Sequence, residues 1–247
     1  MKKVLISIGI LFLLLIAIII VAPIIYKDKI VALVKKSANE QLNAQVNFDK
    51  FELTLIRNFP NITICLNDLS IVGTQPFEGD TLTYAKEFAI SLDLMSVISG
   101  DKIKVKSIKI DKALINLMVL KDGNVNWDIM KPSPDSAGGA APTDYQIALN
   151  SYEVTNSAIR YDDQSSGMRV SLQDVNHSGN GDFTQDLFTL STNTTIEKTN
   201  IWYGGLQYLN NVKNSLMADL EIDLPNSKYT FKQNELKLND LSLAFDG

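Results

Sequence analysis

Two residue types on which much protein chemistry depends are almost absent: the 247-residue chain has one cysteine, Cys65, and one histidine, His177. A lone cysteine forms no internal disulfide, which suits a bacterial envelope better than a disulfide-rich ectodomain. A lone histidine makes a poor zinc site. No Gly-x-Ser-x-Gly elbow is present to build a Ser-His-Asp triad around it. His177 falls in Asn176-His177-Ser178-Gly179, which reads as a polar turn, and Cys65 reads as a small half-buried side chain on the strand face opposite Ile64. Asp162-Asp163 and Asp122-Gly123-Asn124 lack the spaced oxygens of a calcium loop and read as turns. No catalytic residue, cofactor or metal is expected, so the chain reads as non-enzymatic. Basic residues are also in short supply, 23 Lys and Arg against 28 Asp and Glu for a net charge of −5, which argues against a nucleic-acid partner.

Against these absences stands one long apolar run. Val4 to Ile25 carries no charge and follows Lys2 and Lys3, and at helical rise it spans roughly 33 Å, about one bilayer core. A cleaved signal peptide would have a shorter apolar region of about 7–15 residues and a small-x-small site; here Ile20 sits at the −3 position relative to Pro23. Residues 1–26 are therefore expected to be a cytoplasmic leader and an uncleaved transmembrane anchor. Lys27, Lys29, Lys35 and Lys36 outnumber Lys2 and Lys3, so the lysine bias does not settle orientation. A first hydrophobic segment with a two-residue leader acts as a translocation signal, which puts the N-terminus in the cytoplasm and the remainder in the periplasm.

Residues 27–46 place Ile30, Val31, Leu33, Val34, Ala38 and Leu42 at helical spacing among lysines and amides, an amphipathic membrane-proximal helix. From Asn47 the period becomes 2, as in Phe51, Leu53, Leu55 and in Leu216, Ala218, Leu220, Ile222, the signature of one-sided strands. The phase slips between Ile108, Ile110 and Ala113, Ile115, Leu117, Val119, which implies bulges or bends. Leu66-Asn67-Asp68-Leu69-Ser70 recurs as Leu238-Asn239-Asp240-Leu241-Ser242, with an echo at Leu172-Gln173-Asp174-Val175-Asn176; these read as related strand units. Residues 47–130 and 145–247 form two β segments, the second expected to continue beyond this chain, around a Pro- and Gly-rich linker at 131–144. The lysines Lys102, Lys104, Lys106, Lys109 and Lys112 read as a solvated strand face, or as a contact for anionic head groups.

Val105 to Asn116, followed by Lys121-Asp122-Gly123-Asn124-Val125-Asn126-Trp127-Asp128-Ile129, is similar to the N-terminal region of the AsmA family. There an alternating aliphatic strand leads into an Asp-Gly-x-x-Asn-Trp turn. Asp122, Gly123, Asn126 and Trp127 match that turn, and Tyr203 to Leu209 and Leu236 to Gly247 add to the likeness. The resemblance implies an inner-membrane envelope protein with an elongated, curled antiparallel β-sheet whose apolar inner face carries phospholipid toward the outer membrane and supports its assembly. Its partners would be phospholipid or another acyl-chain lipid, the inner membrane and other envelope proteins. Ile103, Val105, Ala113, Ile115, Leu117 and Val119 are the candidates for such a groove. Trp127 is expected as a buried packing residue whose loss costs about 3–5 kcal/mol. The rival reading is a membrane-anchored structural or adhesive ectodomain, a β-sandwich in which the same apolar faces pack on each other.

Overall fold

The structure, a computed structural model, describes residues 27–55, 60–99, 103–131 and 145–247. The expected anchor at 1–26 and nearly all of the expected linker at 131–144 lie outside those residues. Two compact units emerge, Met1–Gln41 and Leu42–Gly247. In the first, α1 spans Lys27–Gln41 with Asp28 in its opening turn, where a carboxylate complements the helix dipole, and a Lys36–Glu40 pair at 3.7 Å one turn apart. Among the described residues no helix is long and apolar enough to cross a membrane.

The second unit is one open sheet of eleven strands. They are β1 (Ala44–Asn47), β2 (Lys50–Thr54), β3 (Asn61–Gly73), β4 (Thr81–Asp93), β5 (Ile103–Val119), β6 (Tyr145–Asp163), β7 (Met168–Asn180), β8 (Leu187–Tyr203), β9 (Leu206–Asp223), β10 (Lys228–Leu238) and β11 (Leu241–Phe245). The order in space follows the chain, with β1 and β2 both pairing β3 and forming one interrupted edge. A short helix, α2 (Leu94–Ser99), joins β4 to β5, and the Asp93 carboxylate caps it by accepting the Ser96 N–H at 2.9 Å.

The antiparallel expectation fails at one place, where β5 and β6 run parallel from Ile103 opposite Tyr145 to Val119 opposite Asp163. A parallel pair needs a crossover of a dozen residues or more, and residues 120–144 supply it. The two β segments on either side of that crossover thus share one sheet.

Left-handed residues run across the sheet. Asp68 on β3, Lys112 on β5, Asn156 on β6, Asp174 on β7 and Asn211 on β9 all have φ between 50° and 52°. The registers bring them close to one level, since Asn67 faces Glu87, Glu87 faces Asp111 and Asp111 faces Thr155. Such a backbone costs a non-glycine residue about 1–2 kcal/mol, least for Asn and Asp, whose side chains bond locally. Neighbouring amides stabilise it: Asn176 Oδ1 accepts the Asn156 N–H at 3.0 Å, and Asn200 Oδ1 accepts the Asn211 N–H at 3.0 Å. We call this line the crease. Below it lie β2 and α2; above it lie β1 and the β3–β4 turn. Small buried side chains back it on one face, with Ala85 and Ser157 each 1% exposed and Ala113 3%. Ser157 Oγ accepts the Ala113 N–H at 3.0 Å and donates to the Thr155 carbonyl at 2.8 Å.

Candidate functional surface

Reading the registers from strand to strand gives the composition of each face. Below the crease one row runs Phe51, Leu66, Phe88, Ile110, Val154, His177, Thr194, Leu216, Leu236, Leu243. The next runs Leu53, Ile64, Ile90, Ile108, Tyr152, Gly179, Thr192, Ala218, Asn234, Phe245. This face is apolar from β2 to β6 and again from β9 to β11, with a polar break on β7 and β8.

The opposite face below the crease is polar. Its rows are Thr54, Thr63, Ser91, Ser107, Ser151, Asn180, Ser191, Asp219 and Glu52, Cys65, Ala89, Lys109, Glu153, Ser178, Asn193, Met217, Glu235. A hollow of about 720 Å³ opens on this side, lined by Thr63, Glu87, Ser107, Lys109, Glu153 and their neighbours. A second, of about 480 Å³, follows between Asn180 and Glu235. In this half the hollow thus mixes polar side chains with apolar ones, Ala89, Ile108, Tyr152 and Met217 among them.

Above the crease the polarity exchanges sides. Ile71, Thr83, Ile115, Ile159, Leu172 form one row and Leu117, Tyr161, Val170, Ile201, Leu209 the next, both continuing the face that was polar below. The other face there carries Asn116, Arg160, Ser171 and Asn200. The apolar side chains of both halves are mostly half-exposed, and all described strands belong to the one sheet.

The six groove candidates are divided by this geometry. Ala113, Ile115, Leu117 and Val119 share the upper face with Ile159 and Tyr161. Val105 faces Leu92, in the lower apolar rows of the opposite side, and Ile103 lies two residues before it on the same side. Against β4, Leu92 faces Val105 and Ser91 faces Ser107, which marks a bulge at Lys106. The lysines do not make one face either: Lys109 pairs with Glu153 at 3.2 Å in the polar hollow, while Lys112 occupies the crease.

In the family-type turn, Asn126 is the buried member at 3% exposure and Trp127 is 41% exposed, correcting the expectation of a buried indole. Asn126 Oδ1 accepts the Met118 N–H at 2.9 Å and its Nδ2 donates to the Asn116 carbonyl at 2.8 Å. Asp122 Oδ1 accepts the Asn124 N–H at 3.1 Å, and Gly123 takes φ 87°, a conformation open to glycine without strain. The indole of Trp127 lies over the upper apolar rows, its ring 6.3 Å from that of Tyr161.

His177 is also misplaced by the sequence reading: it sits within β7, not in a turn. Its Nδ1 is 2.8 Å from Thr194 Oγ1 and its Nε2 3.2 Å from the Tyr152 hydroxyl, and burial holds its pKa below the usual value. Cys65 is buried on the face opposite Ile64. Asp163 tips the β6–β7 turn, where bonds from Ser165 and Ser166 hold its carboxyl well below the ordinary range.

The chain matches the AsmA family over residues 1–243. It belongs to that family. No curated protein and no solved structure matches it. Membership fits an envelope protein, and the match covers nearly the whole chain.

Proposed function

We propose that this AsmA-family chain is a non-enzymatic, inner-membrane-anchored envelope protein that supports phospholipid transport to, and assembly of, the outer membrane. The polar head would stay in water while acyl chains lie along the apolar rows. One observation carries the reading: the described strands form a single layer whose apolar rows on each side of the crease are left half-exposed. Uncovered apolar area of this extent marks an interaction or ligand surface. Acyl chains need a continuous apolar track, and the row from Leu117 through Tyr161 and Val170 to Leu209 supplies one. The sandwich alternative requires two sheets burying their inner faces against each other, and the described strands make one.

The test is a photo-crosslinking residue at position 117 in the full-length protein in cells, compared with one at position 160 on the reverse face. Phospholipid captured at 117 and not at 160 supports the conduit. Capture of protein alone at both positions overturns it.

A further inference from the structure

We propose that the upper rim of the sheet is a bilayer-contacting edge, its aromatic tips seated in the interfacial layer of a phospholipid membrane; this rests on the reading that the chain is membrane-anchored upstream of the sheet. Both tryptophans of the chain, Trp127 and Trp202, lie at this end. Trp127 follows β5, and Trp202 is the penultimate residue of β8, opposite Gln207. Tyr203, Leu206 and Tyr208 around the β8–β9 turn are between 52% and 66% exposed, and Met130 is 65% exposed. Trp127 is 41% exposed and Trp202 is half-buried; Trp and Tyr beside Leu and Met are the residues that settle at a membrane–water boundary, apolar ring inward and polar atom outward.

The chain enters the sheet unit at this same rim. Leu42, the first residue of the sheet unit, bridges Met130, and the Asn43 N–H donates to the Ile129 carbonyl at 2.6 Å. The first residues of the sheet unit are thus bonded to this rim. The opposite rim exposes Met95 and Ile98 of α2 with Leu187, Leu224 and Tyr229, so what sets the upper rim apart is its two tryptophans.

Charge plays little part in this contact. The rim turns hold Glu78, Asp80, Asp122, Asp128, Asp163 and Asp240 against Lys121 and Lys131, an acidic excess that does not attract an anionic surface. A lone guanidinium, that of Arg169, stands 5.6 Å from the centre of the Trp202 ring. Seating is therefore carried by the rings and is expected to tolerate salt, which screens only the electrostatic part.

The experiment uses the full chain reconstituted in phosphatidylcholine vesicles, with Trp127→Phe and Trp202→Phe variants leaving one indole each. Phosphatidylcholine brominated near the carbonyl end of its chains should quench Trp202 strongly, and lipid brominated near the chain ends should quench it less, with no change on raising salt. Met95→Trp in a chain lacking both native tryptophans should stay unquenched. Quenching confined to Trp127 would read a lipid lying on the strip beside Tyr161 and overturns the rim contact; so does quenching at position 95 equal to that at Trp202. Lipid capture at position 117 without Trp202 quenching overturns the rim and leaves the conduit standing. Trp202 quenching without capture does the reverse.

Discussion

Asn126 holds Met118 by a backbone and a side-chain bond: its N–H donates to the Met118 carbonyl at 3.1 Å and its Oδ1 accepts the Met118 N–H at 2.9 Å. With the second amide bond to the Asn116 carbonyl, one buried side chain closes the Asp122–Trp127 turn onto the end of β5. Asn126→Ala leaves the Met118 N–H and the Asn116 carbonyl without these partners. Unmade buried bonds cost about 1–3 kcal/mol each, so the variant should lose about 2–4 kcal/mol, read as a lower urea midpoint. A change below 1 kcal/mol would show that the clamp is dispensable.

Trp127→Ala should cost less than Asn126→Ala, reversing the order expected from the sequence. The ring is 41% exposed with one aromatic neighbour, Tyr161. Such a partial contact contributes about 1 kcal/mol, well below the 3–5 kcal/mol of a buried aromatic. Parallel urea melts of the two variants decide the ranking.

The crease predicts opposite signs for two changes at one position. Lys112 holds φ 50°, a conformation easier for asparagine and hard for β-branched residues. Lys112→Asn should raise stability by up to about 1 kcal/mol, and Lys112→Val should lower it by about 1–2 kcal/mol. Equal effects would mean that the backbone relaxes around residue 112.

Much of this crease is legible in the sequence, though not as what it is. The slip from Ile108 and Ile110 to Ala113 and Ile115 falls at Lys112, and the three related pentapeptides contain Asp68, Asp174 and Asn239, each with positive φ. A slip of one residue in a period-2 pattern moves the apolar set to the other face, and the six groove candidates straddle two such faces for that reason. The parallel pairing of β5 and β6 was not legible, because strand direction depends on the route of the crossover. Nor was His177 in β7: Asn-His-Ser-Gly has the composition of a turn, and pairing with β6 and β8 on both sides overrides it. Among the turn residues, the Asp-Gly signal was read correctly, but which of Asn126 and Trp127 is buried is decided only by the return of the chain against β5.

His177 gives a pH signature. Burial holds its folded pKa below 6.5, so once the pH drops below about 6.5 the unfolded chain binds a proton that the folded chain does not. Stability therefore falls as pH drops from 7 toward 5. The hydrogen-bonded carboxylates of Asp68 and Asp111, with folded values below 3.8, lose their contribution only at lower pH, so the windows separate. Tm measured at intervals between pH 7.5 and 5 should slope downward in wild type and flatten in His177→Gln. An unchanged slope in the variant would assign the effect to another group.

The exchange of polarity at the crease makes the most demanding prediction for transport. If acyl chains use the apolar rows of both halves, Leu66→Asp below the crease and Leu117→Asp above it should each block delivery, although the two side chains lie on opposite faces. Ser178→Asp and Arg160→Asp, on the polar reverse of each half, should be tolerated, since a carboxylate there stays in water while one among acyl chains must be desolvated. Complementation of a strain lacking the protein reads delivery, and a melting curve for each variant separates loss of fold from loss of track. A folded Leu66→Asp chain that still delivers lipid, beside a folded Leu117→Asp chain that does not, would confine the track to the upper half. The lower rows would then be a surface for a protein neighbour, and a crosslinker at position 66 should capture that protein and no lipid.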